Sequence, residues 1–143
     1  MSKPTESVIL KKAANYFVPA NEAVIPDIFK FFASEVFDGF AAHSAVSDYI
    51  KTNGLWIGGS IILSQNSLVF KANQANAVLN KGNKLADIIL LEDIRILHFE
   101  KAFGSSIITA ESEEGMLSFR CFGAKKFLQT LSGHAAQAKI IGI

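Results

Sequence analysis

Four lysines offer the clearest ligand chemistry in this sequence. Between Asp48 and Asp87 the chain holds four basic residues and no acidic one, so the window carries +4 in a chain of formal charge +1. These residues are Lys51, Lys71, Lys81 and Lys84. If the loops that hold them meet at one end of the fold, they present a positive field to anionic lipid headgroups or to an acidic partner. The alternative is four ordinary solvated lysines, because a lipid-binding cluster usually holds about four to eight adjacent basic residues.

Phenylalanine offers a second kind of contact. Five of the 12 phenylalanines lie between residues 29 and 40, at spacings that predict a helix with a wide apolar arc. Two interpretations stay open for this arc. It either packs against the protein's own sheet, or part of it forms a contact between identical subunits. For the second interpretation, the interface residues are Phe29, Phe32 and Phe37.

The residue types that serve catalysis and metal binding are sparse and scattered. The three histidines are far apart in sequence and show no zinc-ligand spacing, so no metal site is predicted. Cys121 alternates with Phe119 on the apolar side of a strand and is predicted to be a small core residue. The glycines from Gly54 to Gly59 lack the Lys-Ser/Thr ending of a phosphate loop, and we assign them to a bent strand. The sequence therefore predicts no catalytic residue, no cofactor and no enzyme activity.

Composition limits the classes of protein that fit. The chain has 143 residues, of which 50% are hydrophobic and only 19% charged, which excludes a disordered protein and favours one domain. Its near-neutral charge argues against a nucleic-acid partner, and its single cysteine suits a reducing cytoplasm. The uncharged run from residue 52 to residue 70 contains glycines and a polar break. We therefore expect two strands there and no transmembrane segment.

The elements change character near residue 50. Ile9, Ala13, Tyr16 and Phe17 fall at helical spacing, which predicts a short helix that ends at Pro19. The Phe-rich helix follows, and residues 41–46 are ambiguous and fit the start of a strand. From residue 55 onward the pattern predicts strands at 56–63, 67–71, 86–91, 94–99, 106–110 and 116–122, a loop excursion at 73–84, and a closing helix at 125–137. This order predicts an α+β domain.

Several of these segments resemble a known family. Residues 59–70, which read GSIILSQNSLVF, are similar to the opening of a GRAM domain, often G-x-L-x-L-T-x-x-x-L-V-F, with Ser64 where Thr is usual. Residues 90–94, 107–110 and 117–122 resemble its later strands, and residues 127–131 resemble its closing helix. The resemblance covers about residues 40–135. It implies a pleckstrin-homology-like fold, a bent antiparallel barrel of six or seven strands capped by a C-terminal helix. On this basis residues 39–138 form the domain, and residues 1–38 form an N-terminal helical extension.

The resemblance also implies a class of function. Relatives with this fold bind phosphoinositides, peptides or other proteins, and bacterial members form oligomeric rings. We therefore expect a non-enzymatic binding module in the cytoplasm, acting on anionic lipid headgroups or a protein partner at the inner membrane face. Its ligand residues are the four lysines named above. The alternative is a self-associating scaffold that forms a homo-oligomer through the Phe-rich helix.

Overall fold

A computed structural model describes residues 7–19, 54–79, 84–102 and 105–142. Within these ranges the chain is mostly β, and its strands are β1 (Val8–Val18), β2 (Leu55–Ser64), β3 (Ser67–Ala72), β4 (Ala86–Leu90), β5 (Ile96–Glu100), β6 (Ser106–Glu111), β7 (Met116–Cys121) and β8 (Lys139–Ile141). Two helices accompany them, the six-residue α1 (Gln74–Leu79) and the longer α2 (Ala124–His134), with a 3-10 turn at Leu91–Asp93. None of the described helices is both long and apolar enough to cross a bilayer.

β1 joins the two halves of the sheet. The strand order is β4-β3-β2-β1-β7-β6-β5-β8, and every pairing is antiparallel except the parallel pair of β5 with β8. β1 pairs with β2 along its length, from Val8 opposite Ser64 to Val18 opposite Leu55. Its other edge pairs with β7 at Asn15 and Tyr16. A single long strand therefore holds the β2–β4 meander against the β5–β7 meander.

The core lies between the inward faces of the strands and α2. On β7, Leu117, Phe119 and Cys121 are buried and alternate with more exposed residues. α2 covers this face with Phe127, whose ring meets that of Phe119 edge-on at a centroid distance of 5.4 Å. Each fully buried side chain of this size stabilises the fold by about 1.5–3 kcal/mol.

The prediction of a helix at residues 9–17 is wrong, because these residues form β1. Ala14, Tyr16 and Val18 are buried at every second position, as a strand requires. The alternation is hidden in the sequence because the opposite face also carries an aromatic residue, Phe17, whose ring packs against Trp56 at 5.0 Å. A strand with two apolar faces can show the same spacing of apolar residues as an amphipathic helix. Here the long ladder with β2 shows that the segment is a strand.

The predicted fold class is also wrong. The prediction is an α+β domain with a PH-like bent antiparallel barrel of six or seven strands, a C-terminal helix and an N-terminal helical extension, whereas the described residues are mostly β. The sheet is open and mixed, with β4 and β8 at its two edges, and no ladder of the described residues joins them. The extra strand β8 pairs in parallel with β5 and occupies the edge at which a closed barrel would continue. Sequence alternation reports which face of a strand is buried, but it does not report whether the first and last strands meet.

The other element predictions divide into two groups. The strands from residue 56 to residue 122 are confirmed with bounds within two residues of those predicted, and so is the closing helix, which begins at Ala124 but ends at His134, three residues earlier than predicted. The loop excursion at 73–84 contains the short helix α1. The Phe-rich helix, the ambiguous segment 41–46 and the boundary between residues 38 and 39 lie outside the described residues, so these predictions stay untested.

Candidate anion-binding site

One concavity on the sheet surface lies around Arg120. This cavity, which we call the Arg120 pocket, has a volume of about 330 Å³. Its polar lining comes from Asn15, Asn73, Asn76, Ser105 and Arg120, with the backbone of Gly58 and Gly59. Among the described residues that line it there is no Asp or Glu. The pocket therefore combines one guanidinium with amide and hydroxyl groups, which suits an anionic ligand rich in oxygen atoms.

Strand pairing places Arg120 at the centre of this surface. Arg120 lies opposite Asn15 in the β7–β1 ladder, and Asn15 lies opposite Gly58 in the β1–β2 ladder. The guanidinium carbon of Arg120 sits 4.5 Å from the centroid of the Trp56 ring, a cation–π contact that holds the side chain in place. Its Nε is buried and finds no hydrogen-bond acceptor among the described residues. A fixed, partly desolvated guanidinium that has no carboxylate partner in the described part of the chain is ready to bind an anion.

α1 forms one wall of the pocket through a small hydrogen-bond network. The Oδ1 atom of Asn73 accepts a hydrogen bond from the backbone N–H of Asn76 at 2.8 Å, which caps the start of α1. The backbone N–H of Gly58 donates to Oδ1 of Asn76 at 3.3 Å. The side-chain amide of Asn15, by contrast, makes no hydrogen bond with the described residues and is available to a ligand. Asn73 and Asn76 therefore shape the wall, whereas Asn15 and Arg120 offer binding groups.

The strands around the pocket carry charge of one sign. β1, β2, β3 and β7 contain no Asp or Glu, and their charged residues are Lys11, Lys12, Lys71 and Arg120. Four of the described acidic residues lie together near the β6–β7 turn, where Glu113 and Glu114 are close to Glu92 and Asp93. The described strands around the pocket therefore contribute positive charge that attracts anions.

Lys12 and Cys121 lie beside each other at the end of the pocket. The Nζ of Lys12 donates a hydrogen bond to the carbonyl of Phe122 at 2.9 Å, which ties β1 to the turn after β7. Burial raises the pKa of the Cys121 thiol, and the Lys12 ammonium offsets part of that rise. Cys121 is therefore a neutral core thiol, as predicted, with its side chain almost fully buried.

The predicted ligand lysines are only partly described. Lys71 is exposed on β3, opposite Ser60, and lies on a strand that neighbours the pocket. Lys84 is exposed too, but its Nζ lies 3.3 Å from Oδ1 of Asp87, and this ion pair reduces its availability to a ligand. Lys51 and Lys81 lie outside the described residues. Whether the four lysines act together thus stays a prediction, as does the subunit interface at Phe29, Phe32 and Phe37, which also lies outside.

A further pair of titratable residues lies on the outer face of β5 and β6. His98 Nε2 is 2.8 Å from Oε2 of Glu111, and both side chains are partly exposed. Neither residue lines the Arg120 pocket. The pair is therefore a surface contact between neighbouring strands, and we assign it no part in ligand binding.

Comparison with known proteins identifies a fold but no family. No family model matches the chain, and no curated protein sequence matches it. Solved structures do match, and one of them is the crystal structure of the C-terminal domain of an unknown protein from Leishmania infantum. The two chains are 8% identical, with a TM-score of 0.53, and the match covers 92% of this chain and 85% of the other. At this identity the likeness concerns the fold alone, and the GRAM resemblance stays a prediction from sequence.

Sequence reasoning did not single out Arg120, Lys12 or Asn15 as binding residues. One signal was available, because Arg120 alternates with the core residues Phe119 and Cys121 and must therefore point outward. The pairing of β7 with β1 could not be found in this way. Asn15 and Arg120 are more than a hundred residues apart, and only the assembled sheet brings them opposite each other.

Proposed function

We propose that this protein is a non-enzymatic binding module that recognises a phosphate-bearing anion at the Arg120 pocket. The observation that carries the proposal is a guanidinium held on the Trp56 ring in a pocket whose described lining residues include no Asp or Glu. A planar guanidinium offers several donors in a geometry that matches phosphate oxygens. The neighbouring Asn15 amide supplies a further donor, and Lys12 and Lys71 add long-range attraction.

The surface beside the pocket favours a lipid headgroup as the source of the phosphate. Phe122, in the turn between β7 and α2, is 76% exposed, an unusual position for so large an apolar side chain. The Nζ of Lys12 donates a hydrogen bond to the backbone carbonyl of Phe122, and Lys125 and Lys126 follow at the exposed start of α2. An exposed aromatic residue among cations is the arrangement by which peripheral proteins contact anionic membranes. The proposed place of action is therefore the inner membrane face.

Two arms of one experiment test the proposal and separate the sources of phosphate. Flotation measures binding to phosphatidylcholine vesicles with and without a phosphoinositide, and calorimetry measures binding of soluble inositol hexakisphosphate. Because the charge at the pocket is required, Arg120→Gln is expected to weaken binding in both arms by about tenfold or more. The matched control is Arg95→Gln, since Arg95 is an exposed arginine paired with Glu113 at the acidic end of the sheet.

The outcomes are distinct. Binding to anionic vesicles and to the soluble phosphate supports the pocket. Binding to the soluble phosphate alone keeps the pocket and rejects the membrane. Absence of binding in both arms at low salt, or equal effects of Arg120→Gln and Arg95→Gln, rejects the proposed function.

A further inference from the structure

The outer edge of β4 is a second candidate binding surface, because part of its backbone points away from the sheet. The backbone N–H of Ala72 donates to the carbonyl of Leu85, and that of Leu91 donates to the carbonyl of Asn66. These two bonds fix the hydrogen-bonding pattern of the β3–β4 ladder. In this pattern the backbone N–H and C=O groups of odd-numbered β4 residues point toward β3. Ala86, Ile88 and Leu90 therefore direct their backbone groups away from β3. Among the described residues, no strand pairs with this edge.

A groove runs beside the edge and has an apolar wall. Its volume is about 520 Å³, and it lies between β4 and the start of β7. Ile88 is 60% exposed, Leu90 is 43% exposed, and Met116 on the facing strand is 61% exposed. Proteins usually cover or charge such an edge, because it is a template for pairing with another strand. Within the described ranges, the protection of this edge is local, since Oδ1 of Asp87 accepts the N–H of Ile88 at 2.9 Å.

The rim of this groove is acidic. Asp93 and Glu114 line it, and Glu92 and Glu113 lie just beyond. The nearby cations are already engaged, because Lys84 pairs with Asp87 and Arg95 pairs with Glu113. Glu92, Asp93 and Glu114 have no ion pair with the described residues. In the part of the chain that the structure describes, the groove therefore presents unpaired negative charge next to exposed apolar side chains.

We infer that this groove binds an extended peptide segment in which apolar and basic residues alternate, added as a strand to the edge of β4. The carbonyls of Ala86, Ile88 and Leu90 offer acceptors to its backbone, the apolar wall receives every second side chain, and the acidic rim attracts the basic ones. A second copy of the chain fits less well, because β4 itself contains Asp87 and no cation. This site is separate from the Arg120 pocket and goes beyond the proposed anion binding.

The test uses the full chain labelled with ¹⁵N and two synthetic peptides. The probe is an acetylated eight-residue peptide in which valine alternates with lysine, and the control peptide replaces lysine with glutamate. We expect the lysine peptide to bind and to shift the amide resonances of Ala86, Ile88 and Leu90. Because Ile88→Lys adds a like charge at the centre of the edge, it is expected to weaken binding by about tenfold or more.

Matched variants separate a local effect from loss of folding. Ile141→Lys places the same charge at β8, the opposite edge, where Ile141 is 40% exposed, and it is expected to leave binding unchanged. Met116→Lys provides a second groove variant if Ile88→Lys does not fold. Arg120→Gln is expected to leave peptide binding intact.

Three results would each overturn the inference. The first is equal binding of the glutamate peptide, and the second is binding that survives both Ile88→Lys and Met116→Lys. The third is a concentration-dependent dimer, seen by analytical ultracentrifugation, that disappears with Ile88→Lys and excludes the lysine peptide, because it would assign the edge to a second copy.

Discussion

The hydroxyl of Tyr16 donates a hydrogen bond to Oδ2 of Asp87 at 2.8 Å, although β1 and β4 are separated in the sheet by β2 and β3. The Tyr16 ring stacks on Phe70 at a centroid distance of 4.9 Å, and Phe70 is the ladder partner of Asp87. The sheet therefore bends far enough for an inward residue of β1 to reach its edge strand. This contact positions Asp87, whose other oxygen accepts the N–H of Ile88 and pairs with Lys84.

We expect Tyr16→Phe and Asp87→Asn to destabilise the protein in a coupled way. A hydrogen bond to a charged acceptor contributes about 1.5–3 kcal/mol, so each single variant should lower the free energy of unfolding by about that amount. Urea unfolding of the two single variants and the double variant gives the coupling energy, expected to be about 0.5–3 kcal/mol. Strict additivity of the two losses would show that the contact contributes nothing to stability.

Gly59→Ala is expected to be strongly destabilising. A Cβ at this position would lie 2.2 Å from the carbonyl oxygen of Lys71, which is backbone on β3 and cannot move aside without breaking the ladder. The expected loss is about 2–4 kcal/mol in the free energy of unfolding. The control is Gly115→Ala, since a Cβ there meets no atom within 4 Å, and it should change stability by about 0.5 kcal/mol or less. Equal effects of the two variants would contradict the close approach of β2 and β3.

Trp56 is the single tryptophan of the chain, so its fluorescence reports on the Arg120 pocket. We expect inositol hexakisphosphate to change the emission of the native protein in a saturable way, because the bound anion alters the charge above the indole ring. Trp56→Leu should reduce the calorimetric affinity by about three- to tenfold, since the cation–π contact that holds Arg120 is lost. Unchanged affinity in Trp56→Leu would show that Arg120 does not need this support.

Phe122→Ser is expected to separate membrane binding from stability. Phe122 is 76% exposed, so its loss should change the free energy of unfolding by about 0.5 kcal/mol or less. Its loss should nevertheless lower flotation with phosphoinositide vesicles several-fold while leaving binding of the soluble phosphate intact. Phe127→Ala is the contrasting variant, because it empties a fully buried site and should cost about 3–5 kcal/mol in stability. Unreduced flotation of Phe122→Ser would remove the membrane contact from the proposal.

The raised pKa of Cys121 predicts a stability that falls at alkaline pH. The folded protein keeps the thiol proton at pH values where the unfolded chain has released it, since an ordinary thiol has a pKa of about 8.5. The free energy of unfolding should therefore decrease as the pH rises through and above the ordinary thiol range. Below that range the full contribution of the protonated Cys121 thiol to stability is present. Urea unfolding from neutral to alkaline pH should show a shallower decline for Cys121→Ala than for the native chain. Parallel declines would indicate that Cys121 makes no such contribution.

Much of the local structure could be predicted from sequence, because each strand from β2 to β7 carries its own signal. In β7 the alternation of Leu117, Phe119 and Cys121 with Ser118 and Arg120 predicts both the strand and its buried face. β1 carries no such clear signal, since Phe17 makes its outer face apolar as well. β8 has only three residues, too few for a periodic pattern.

The sequence by itself determined which residues of most strands are buried, that a helix follows β7, and that Cys121 belongs to the core. These properties depend on neighbours within a few positions of the chain, so local patterns predict them. Only the tertiary structure decided that the sheet is open, that β1 lies at its centre, and that Arg120 meets Asn15 and Trp56. Those contacts join residues about 60 to 105 positions apart. They follow from strand order and register, which the alternation of a single strand does not specify.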